Sequence, residues 1–208
     1  MDQTKIAVEV FNKLAHIYQE RFMDVSMYYD SFDTFCQHIP KANASLLELA
    51  CGPGNITQYL LTKRPDLNIL GTDLAPNMIE LAKINNPKAE FKLFDLREIK
   101  QLNQKFDAVV CGFGLPYLSK KEAIEFIVNA DYCIQDGGIL YLSTMEDDNE
   151  NSGFQKGSTG DKVFINYHQA DYLIETLENF GFTIIHLERK KYRHNEQDTT
   201  DLIVIAKK

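Results

Sequence analysis

The sequence lacks the features that mark membrane, secreted and metal-binding proteins. No apolar run approaches the roughly 20 residues that a bilayer-spanning helix needs. The first residues contain no basic region followed by an apolar stretch, so they do not resemble a signal peptide. The four cysteines are widely spaced, and no two of them form a Cys-x-x-Cys pair. We therefore expect a cytoplasmic protein with reduced thiols, no membrane association and no metal site.

Positive charge is also scarce. The chain has 22 Lys and Arg residues against 30 Asp and Glu residues, which gives a net charge of −8. Such a surface repels phosphate backbones, so nucleic acid is not an expected partner. The length of 208 residues and the apolar content of 44% predict one domain with a substantial core.

The most informative segment, residues 46–55 (LLELACGPGN), joins an apolar run to a helical pattern through a glycine-rich turn. Gly52 and Gly54 have no Cβ atoms, so the backbone can turn sharply and a ligand can approach it closely. The following helix directs its N-terminal amides and the positive end of its dipole to the same place. Nineteen residues after Gly54, Asp73 ends a second apolar run, where its carboxylate can accept hydrogen bonds from both ribose hydroxyls. Together these features predict a crevice that binds a nucleoside.

Short apolar runs alternate with segments of helical periodicity, which is typical of an α/β protein. The predicted helices span residues 5–22, 31–38, 55–63, 76–83, 119–134 and 169–180. The predicted strands span residues 45–50, 68–72, 89–94, 106–111, 139–143, 182–187 and 202–206.

Two segments of the second half depart from this alternation. The last two predicted strands are separated only by a polar connection near residues 194–198, which is too short for a parallel crossover. They are therefore expected to be antiparallel neighbours in a sheet that is otherwise mostly parallel. Residues 146–162 are polar and glycine-rich, and we expect a long loop there.

The order and spacing of five motifs resemble those of class I S-adenosylmethionine (SAM)-dependent methyltransferases. The motifs are ELACGPGN at 48–55, GTDLAPNM at 71–78, FDL at 94–96, FDAVVC at 106–111 and FGF at 180–182. The resemblance implies a Rossmann-like, doubly wound α/β fold with a mostly parallel seven-stranded sheet and a C-terminal antiparallel hairpin. It also implies a single domain over residues 1–208. In that domain residues 1–40 form a helical cap over the cofactor site and residues 41–208 form the SAM-binding core.

The same resemblance implies roles for individual residues in binding SAM. Ala50, Gly52 and Gly54 would line the methionine and ribose part of the ligand. Glu48 would orient the ligand amino group through water, and Asp73 would bind the ribose hydroxyls. The full set of predicted cofactor-binding residues is Tyr18, Glu48, Ala50, Gly52, Gly54, Asp73, Leu74, Met78, Asp95, Leu96, Cys111 and Gly112.

Among the other members of this set, Leu74 would pack on the adenine face. Asp95 would accept a hydrogen bond from the adenine amino group, and the Leu96 amide would meet a ring nitrogen. Cys111 and Gly112 would contribute backbone beside the methionine end.

Four of these positions leave alternatives open. Tyr18 is equally suited to core packing and to a place near the sulfonium, where its ring would gain about 0.5–2 kcal/mol. Asp73 could cap the following helix as well as bind the ligand, and Asp95 could be a surface acid. The family pattern usually has glycine where this chain has Ala50, and we expect alanine to be tolerated if its φ is negative.

No residue is firmly predicted to be catalytic. Methyl transfer from a sulfonium is an in-line displacement that depends mainly on positioning, and a base is needed only if the acceptor must lose a proton. Weak candidates at the mouth of the acceptor site are Tyr117, Glu146, Tyr167 and His168. The acidic surface favours a small-molecule acceptor, and the sequence leaves both a monomer and a homodimer open.

Two other functions remain open at this point. An NAD-dependent oxidoreductase would need a third glycine at position 57, where the chain has Thr57. A non-catalytic SAM-binding or regulatory module is compatible with the sequence, because methyl transfer needs few catalytic groups.

Overall fold

The computed structural model describes residues 3–194 and 197–208, without the side chains of residues 194 and 197. The helices are α1 Gln3–Lys13, α2 Ala15–Phe22, α3 Tyr29–His38, α4 Asn55–Lys63, α5 Pro76–Asn85, α6 Lys120–Cys133 and α7 Ala170–Asn179. The strands are β1 Ser45–Leu49, β2 Asn68–Asp73, β3 Glu90–Leu93, β4 Phe106–Gly112, β5 Ile134–Met145, β6 Gly153–Lys156, β7 Lys162–Ile165, β8 Thr183–His194 and β9 Gln197–Lys207.

Seven strands form one sheet in the order β3-β2-β1-β4-β5-β9-β8. The first five strands of this order run parallel to one another, and β9 is antiparallel to both β5 and β8. The predicted mostly parallel sheet with a C-terminal antiparallel hairpin is therefore confirmed. Residues 195–196, in the predicted polar connection between the last two strands, lie outside the described residues.

The central strands are buried on both faces, as parallel strands between two helical layers must be. On one face Leu47 and Leu49 join a core cluster with residues of α6 and α7. On the other face Leu46 packs with residues of α3 and α4. Because β1 and β4 are neighbours although β2 and β3 lie on the far side of β1, the strand order reverses between them. A crevice opens outside the carboxyl ends of the strands at such a point.

The helix predicted as continuous over residues 5–22 is interrupted at Leu14, so that prediction was wrong at this residue. Leu14 has φ −102° and ψ 13°, which separates α1 from α2. A pair of hydrogen bonds joins the end of α1 to α5 beside this interruption. The Asn77 side chain donates to the Asn12 carbonyl and the Asn77 N–H donates to the Asn12 side chain, both at 2.8 Å. The interruption allows α1 and α2 to follow the carboxyl edge of the sheet, and both helices contact α5.

The long loop predicted over residues 146–162 contains regular structure, which corrects that prediction. A turn of 3-10 helix at Asn149–Asn151 is followed by the two-stranded antiparallel sheet of β6 and β7. The turn of this hairpin reaches the N-terminal helices. Lys13 forms an ion pair with Asp161 at 2.8 Å, and Arg21 donates a hydrogen bond to Ser158. Contacts distant in sequence thus order a segment whose composition is that of a loop.

Within residues 3–194 and 197–208, no helix combines the length and the apolar character that crossing a bilayer requires.

Candidate functional site

A cleft lies at the carboxyl edge of the sheet, beneath α1 and α2. The space within it is about 790 Å³, a figure that includes the part open to solvent. The residues that line it are Thr4, Ala7, Val8, Phe11, Tyr18, Ala50, Gly52, Asp73, Leu74, Ala75, Met78, Phe94, Asp95, Leu96, Gly112, Phe113, Gly114, Tyr117 and Leu118. Nine of the twelve predicted cofactor-binding residues are among them, and Glu48, Gly54 and Cys111 are not.

Asp73 stands at the end of β2, with its carboxylate at the wall of the cleft. One carboxylate oxygen accepts the Gly52 N–H at 2.9 Å, and the other accepts the Ala75 N–H at 2.8 Å. The carboxylate thus joins the glycine turn after β1 to the start of α5. Burial raises the pKa of Asp73 above its usual value, although these backbone hydrogen bonds oppose the effect. The N-cap of α5 is Ala75, so the predicted cap role of Asp73 is wrong, and its role in binding the ligand stays a prediction.

Tyr18 of α2 lies over the glycine turn. A Cβ atom added at Gly52 would come within 3.7 Å of its ring, so the tyrosine ring and the backbone of the turn face each other across the cleft. Burial, and then the charge of Asp73, raise the pKa of Tyr18 to about 12. The hydroxyl therefore stays protonated at neutral pH.

Two residues that are not glycine adopt left-handed backbone conformations at the cleft. Ala50, which follows β1, has φ +52°, so the negative φ that we expected for an alanine here is not observed. Phe113, which follows β4, has φ +55°. Its N–H donates to the Ser143 carbonyl and to the Ser143 hydroxyl, each at 3.1 Å. Such conformations cost about 1–2 kcal/mol each and persist where the surrounding structure imposes them, as it does at many binding sites.

Glu48 is enclosed beneath the cleft and does not line it. Its side chain is fully buried, and the Thr57 hydroxyl donates to Oε2. The other oxygen, Oε1, has no hydrogen-bond partner among the described residues. Burial, with a further effect of the charge of Asp73, raises the pKa of Glu48 to about 8. A buried acceptor without a partner is costly, so a ligand or water group at Oε1 would stabilise this site.

Gly54 has a structural position at the start of α4 and does not line the cleft. Its φ is +79°, and a Cβ atom there would lie 2.4 Å from the Asn86 side-chain nitrogen. That same nitrogen donates to the Gly54 carbonyl at 2.9 Å. The close approach of α5 therefore accounts for glycine at this position without any ligand.

We expect Gly54→Ala to lower the free energy of unfolding by about 2–4 kcal/mol, because it adds left-handed strain to a steric clash. Urea denaturation of the ligand-free protein measures the change. Gly153→Ala is the matched control, since a Cβ there meets nothing within 4 Å. Equal stability of the two variants would show that the turn can relax around a methyl group.

Asp95 follows β3 and forms the far end of the cleft. Its carboxylate accepts the backbone N–H of Arg97 at 2.9 Å and thereby starts the 3-10 helix Leu96–Leu102. The Arg97 guanidinium binds the same carboxylate through Nη2 at 2.6 Å and through Nε at 3.0 Å. Leu74 and Met78 form the apolar wall between Asp95 and Asp73.

The face of α1 that covers the cleft was not among the predicted site residues, apart from the general expectation of a helical cap. Thr4, Ala7, Val8 and Phe11 all line the cavity, and their spacing of three and four residues is that of one helix face. The larger residues Ile6, Val10, Leu14 and Ile17 have a similar helical spacing, which obscures this face in the sequence. The structure leaves Ile17 38% exposed. Small residues on a helix can thus mark the face that covers a ligand site.

The weak catalytic candidates lie at different distances from the cleft, and only Tyr117 lines it. Tyr117 lines the cleft with its ring 5.1 Å from that of Phe11, and burial raises the pKa of its hydroxyl. Tyr167 and Glu146 do not line the cleft, and the carboxylate of Glu146 binds Arg189.

His168 is corrected by the structure, because it has no access to the cleft. It is fully buried, with Nε2 2.8 Å from the Leu115 carbonyl and Nδ1 bonded to the Tyr172 hydroxyl. Since only an N–H can bond a carbonyl, the proton lies on Nε2 and Nδ1 accepts. Burial lowers the pKa of His168, which keeps the ring neutral in this structural role.

Comparisons with known proteins point to one family. Residues 46–138 match the family model of a methyltransferase domain. A putative methyltransferase of Invertebrate iridescent virus 6 is 28% identical over 158 residues, which cover 73% of this chain and 58% of that protein. A trans-aconitate 2-methyltransferase of Variovorax paradoxus is 30% identical over 112 residues, which cover 54% of this chain and 42% of that protein. The chain thus spans less than two thirds of the length of these relatives.

Solved structures share the fold over nearly the whole chain. The DhpI complex with SAH has a TM-score of 0.76 at 18% identity and covers 99% of this chain and 96% of its own. Magnesium protoporphyrin IX methyltransferase from Synechocystis PCC 6803, with bound SAM, has a TM-score of 0.74 at 17% identity. The match covers 100% of this chain and 98% of that chain. The [4+2]-cyclase SpnF has a TM-score of 0.66 at 16% identity. The match covers 86% of this chain and 80% of that chain. These similarities confirm the predicted Rossmann-like fold.

Proposed function

We propose that the chain, whose residues 46–138 match the family model of a methyltransferase domain, is a class I SAM-dependent methyltransferase that binds SAM in this cleft and transfers the methyl group to a small-molecule acceptor. The observation that carries the proposal is the place of Asp73. Its carboxylate stands at the end of β2, at the cleft wall and against the Gly52 amide. A ligand diol at this point would meet a negative acceptor already fixed by two backbone hydrogen bonds.

The residues present fit the two ends of SAM. From Asp73 the cleft continues over Leu74 to Asp95, beside β3, where an apolar wall and a carboxylate suit a flat base with an amino group. In the other direction it reaches Gly112 at the end of β4, next to β1. A Cβ at Gly112 would lie 2.3 Å from Ile56 Cδ1, so the backbone there is closely packed and leaves no room for a side chain. The unpartnered Oε1 of Glu48, beneath the cleft, is an acceptor for a water that binds the ligand's ammonium group.

When bound, SAM supplies an activated methyl group on a sulfonium, which a nucleophile displaces in line. The chain contributes position and the exclusion of water. Tyr18, Phe11 and Tyr117 form a run of aromatic rings with neighbouring centroids 5.7 and 5.1 Å apart, and this run closes the side of the cleft beneath α1. Holding the reacting atoms in line at close range can supply about 7–11 kcal/mol of the barrier.

No base is assigned to the reaction. The nitrogens of His168 are engaged in the core, and burial keeps the Tyr117 hydroxyl protonated, so that it is a donor. We therefore infer an acceptor that reacts without deprotonation by the protein, or one that ionises by itself.

The acceptor is further inferred to carry no negative charge. Among the described residues that line the cleft there is no Lys, Arg or His, whereas Asp73 and Asp95 both line it. The lining thus supplies no cationic side chain to an anionic acceptor, which would depend on the sulfonium alone for its counter-charge.

The organisation of the chain follows from the same proposal. Residues 1–40 act as a helical cap, since α1 and α2 cover the cleft, and residues 41–208 act as the SAM-binding core. We place the protein in the cytoplasm, where SAM is available, and assign no nucleic-acid partner to a chain of net charge −8.

A non-catalytic SAM-binding or regulatory module is the alternative function, because methyl transfer needs few catalytic groups and no base is assigned here. The oxidoreductase alternative is disfavoured by Thr57, which is fully buried and bonded to Glu48 where a dinucleotide motif has glycine.

A thermal-shift experiment tests the proposal. We expect SAH at 100 times its dissociation constant to stabilise the protein by about 2.7 kcal/mol, and so to raise the melting temperature by roughly 5–10 °C. NADH at the same concentration is the control and should cause no shift. If neither SAM nor SAH at millimolar concentration shifted the melting temperature, the proposal that SAM binds in this cleft would be contradicted.

Turnover separates an enzyme from a binding module. The protein is incubated with methyl-labelled SAM and pools of neutral, cationic and anionic small molecules, and label is counted in the product and SAH is quantified. We expect labelled product from a neutral or cationic pool. Binding of SAM without formation of SAH in any pool would favour the non-catalytic alternative.

A further inference from the structure

Arg97 joins three parts of the structure at the Asp95 end of the cleft. Its Nη2 and Nε bind the Asp95 carboxylate at 2.6 and 3.0 Å. Its Nη1 lies 3.5 Å from the Thr4 hydroxyl and 3.5 Å from Glu122. Arg97 does not line the cleft itself, so it acts through its partners.

The first partner, Asp95, is held in one orientation by these contacts. A guanidinium fork fixes both the place and the rotation of a carboxylate, because two N–H groups are directed at two oxygens. The side chain of Asp95 is only 17% exposed, so little water competes for it. Without the fork, the carboxylate would regain rotational freedom at the cleft wall.

The second partner, Thr4, belongs to the helix that covers the cleft. It lies in the first turn of α1, and its hydroxyl donates to the Tyr117 carbonyl at 3.1 Å. Thr4 and Tyr117 both line the cavity. Arg97 is therefore linked to the helix that covers the cleft and, through Thr4, to Tyr117.

The third partner, Glu122, anchors the arginine to the core. Its carboxylate completes the capping box of α6, in which Oε2 accepts the Ser119 N–H at 2.8 Å. Because α6 packs into the largest core cluster, Arg97 is braced by a rigid element.

We propose that Arg97 is a positioning residue that determines which base the cleft accepts: it holds Asp95 ready for the exocyclic amino group of adenine and ties α1 over that end of the cleft. The proposal rests on the proposed function, because it supposes that the adenine of SAM lies beside Asp95. A purely structural arginine would instead support the 3-10 helix and affect all ligands alike.

Calorimetry with two ligands separates these roles. SAH carries the adenine amino group, and S-inosylhomocysteine carries a carbonyl oxygen in its place. We expect the wild-type protein to prefer SAH, and Arg97→Gln to bind SAH about tenfold more weakly while its affinity for the inosine analogue changes little. The ratio of the two affinities is a readout that loss of a structural brace would not change.

Arg64→Gln is the matched control. Arg64 also binds a carboxylate two residues away in the sequence, although in the opposite direction, with Nε and Nη2 each 2.8 Å from Asp66. This pair lies between α4 and β2, at the opposite edge of the sheet from the cleft. We expect Arg64→Gln to leave both affinities unchanged.

The outcomes are distinct. Unchanged discrimination by Arg97→Gln, or a parallel loss for both ligands, overturns the inference while leaving the proposed function intact. Failure of the wild-type protein to bind SAH contradicts the proposed function itself. If Arg97→Gln does not fold, Arg97→Lys retains the charge without the fork, and we expect it to lose part of the discrimination. Full retention of discrimination in Arg97→Lys would equally overturn the inference.

Discussion

Glu48→Gln is expected to stabilise the ligand-free protein at alkaline pH and to weaken its binding of SAM. Glu48 is fully buried, with one oxygen bonded to Thr57 and the other without a partner among the described residues. Burial, with a contribution from the charge of Asp73, raises the pKa of Glu48 to about 8. At neutral pH the native protein therefore holds a proton that the unfolded chain has released.

The sign of the pH dependence follows from this difference. The native state binds the proton more tightly than the unfolded state, so the free energy of unfolding falls as the pH rises from about 4.5 to about 8. Above that range the full cost of a buried carboxylate is present, on the order of 4 kcal/mol at 1.36 kcal/mol per pKa unit. Glutamine keeps a carbonyl oxygen for Thr57 and does not ionise, but it buries an amide group without a partner. We therefore expect Glu48→Gln to be more stable than wild type by about 1–3 kcal/mol at pH 9, and not at pH 5.

Urea denaturation at pH 5 and pH 9 measures this reversal. Glu175→Gln on the exposed face of α7 is the matched control, and its stability relative to wild type should not depend on pH in this way. A Glu48→Gln variant with the same pH dependence as wild type would mean that the buried carboxyl does not titrate in this range.

The affinity for SAM should fall in Glu48→Gln, whereas the stability of the ligand-free protein at alkaline pH should rise. Glutamine presents an N–H group as readily as an oxygen, and, unlike Glu48, it cannot give up a proton to pair with the ligand's ammonium group. We expect the dissociation constant for SAM to rise at least tenfold, as for the loss of a hydrogen bond to a charged group. A residue that destabilises the free protein and favours its ligand is typical of a functional site.

The parts of the fold that are encoded locally could be predicted from the sequence. The apolar run of β1 and the capping box at Ser119 and Glu122 depend on neighbouring residues, and the structure contains both. The first two motifs could also be placed, because each extends from the end of a strand, β1 or β2. Asp73 could be placed by its distance from Gly54 for the same reason.

What the sequence did not provide depends on contacts between distant segments. The hairpin of β6 and β7 has short strands, and its turn is held partly by Lys13, which lies 148 residues from its partner Asp161. The positive φ of Ala50 and the buried place of His168 likewise depend on elements far along the chain. Periodicity and propensity carry no information on such pairs, so errors there are expected.

Asp73→Ala is expected to cause the largest loss of SAM affinity, about 1.5–3 kcal/mol, or roughly 10- to 150-fold. The carboxylate is the acidic group nearest to the glycine turn, where it accepts the Gly52 amide at 2.9 Å. Each of its oxygens accepts one backbone N–H and retains a lone pair for a ribose hydroxyl. A ligand diol would therefore find both acceptors already oriented.

The same hydrogen bonds complicate a simple affinity measurement. Alanine at position 73 leaves the Gly52 and Ala75 N–H groups without their acceptor, so the turn can change shape and weaken binding indirectly. A double-mutant cycle removes this effect, with SAH compared with its 2′,3′-dideoxy analogue on both proteins. We expect the wild-type protein to prefer SAH strongly, and the variant to bind the two ligands almost equally.

Asp66→Ala supplies the matched control, because Asp66 also accepts a backbone N–H, that of Asn43 at 2.9 Å, but lies at the opposite edge of the sheet. It should retain the full preference for SAH. If Asp73→Ala retained that preference too, while melting as a folded protein, the diol would have to be recognised by another group. The assignment of this cleft to SAM would then lose the contact on which it depends.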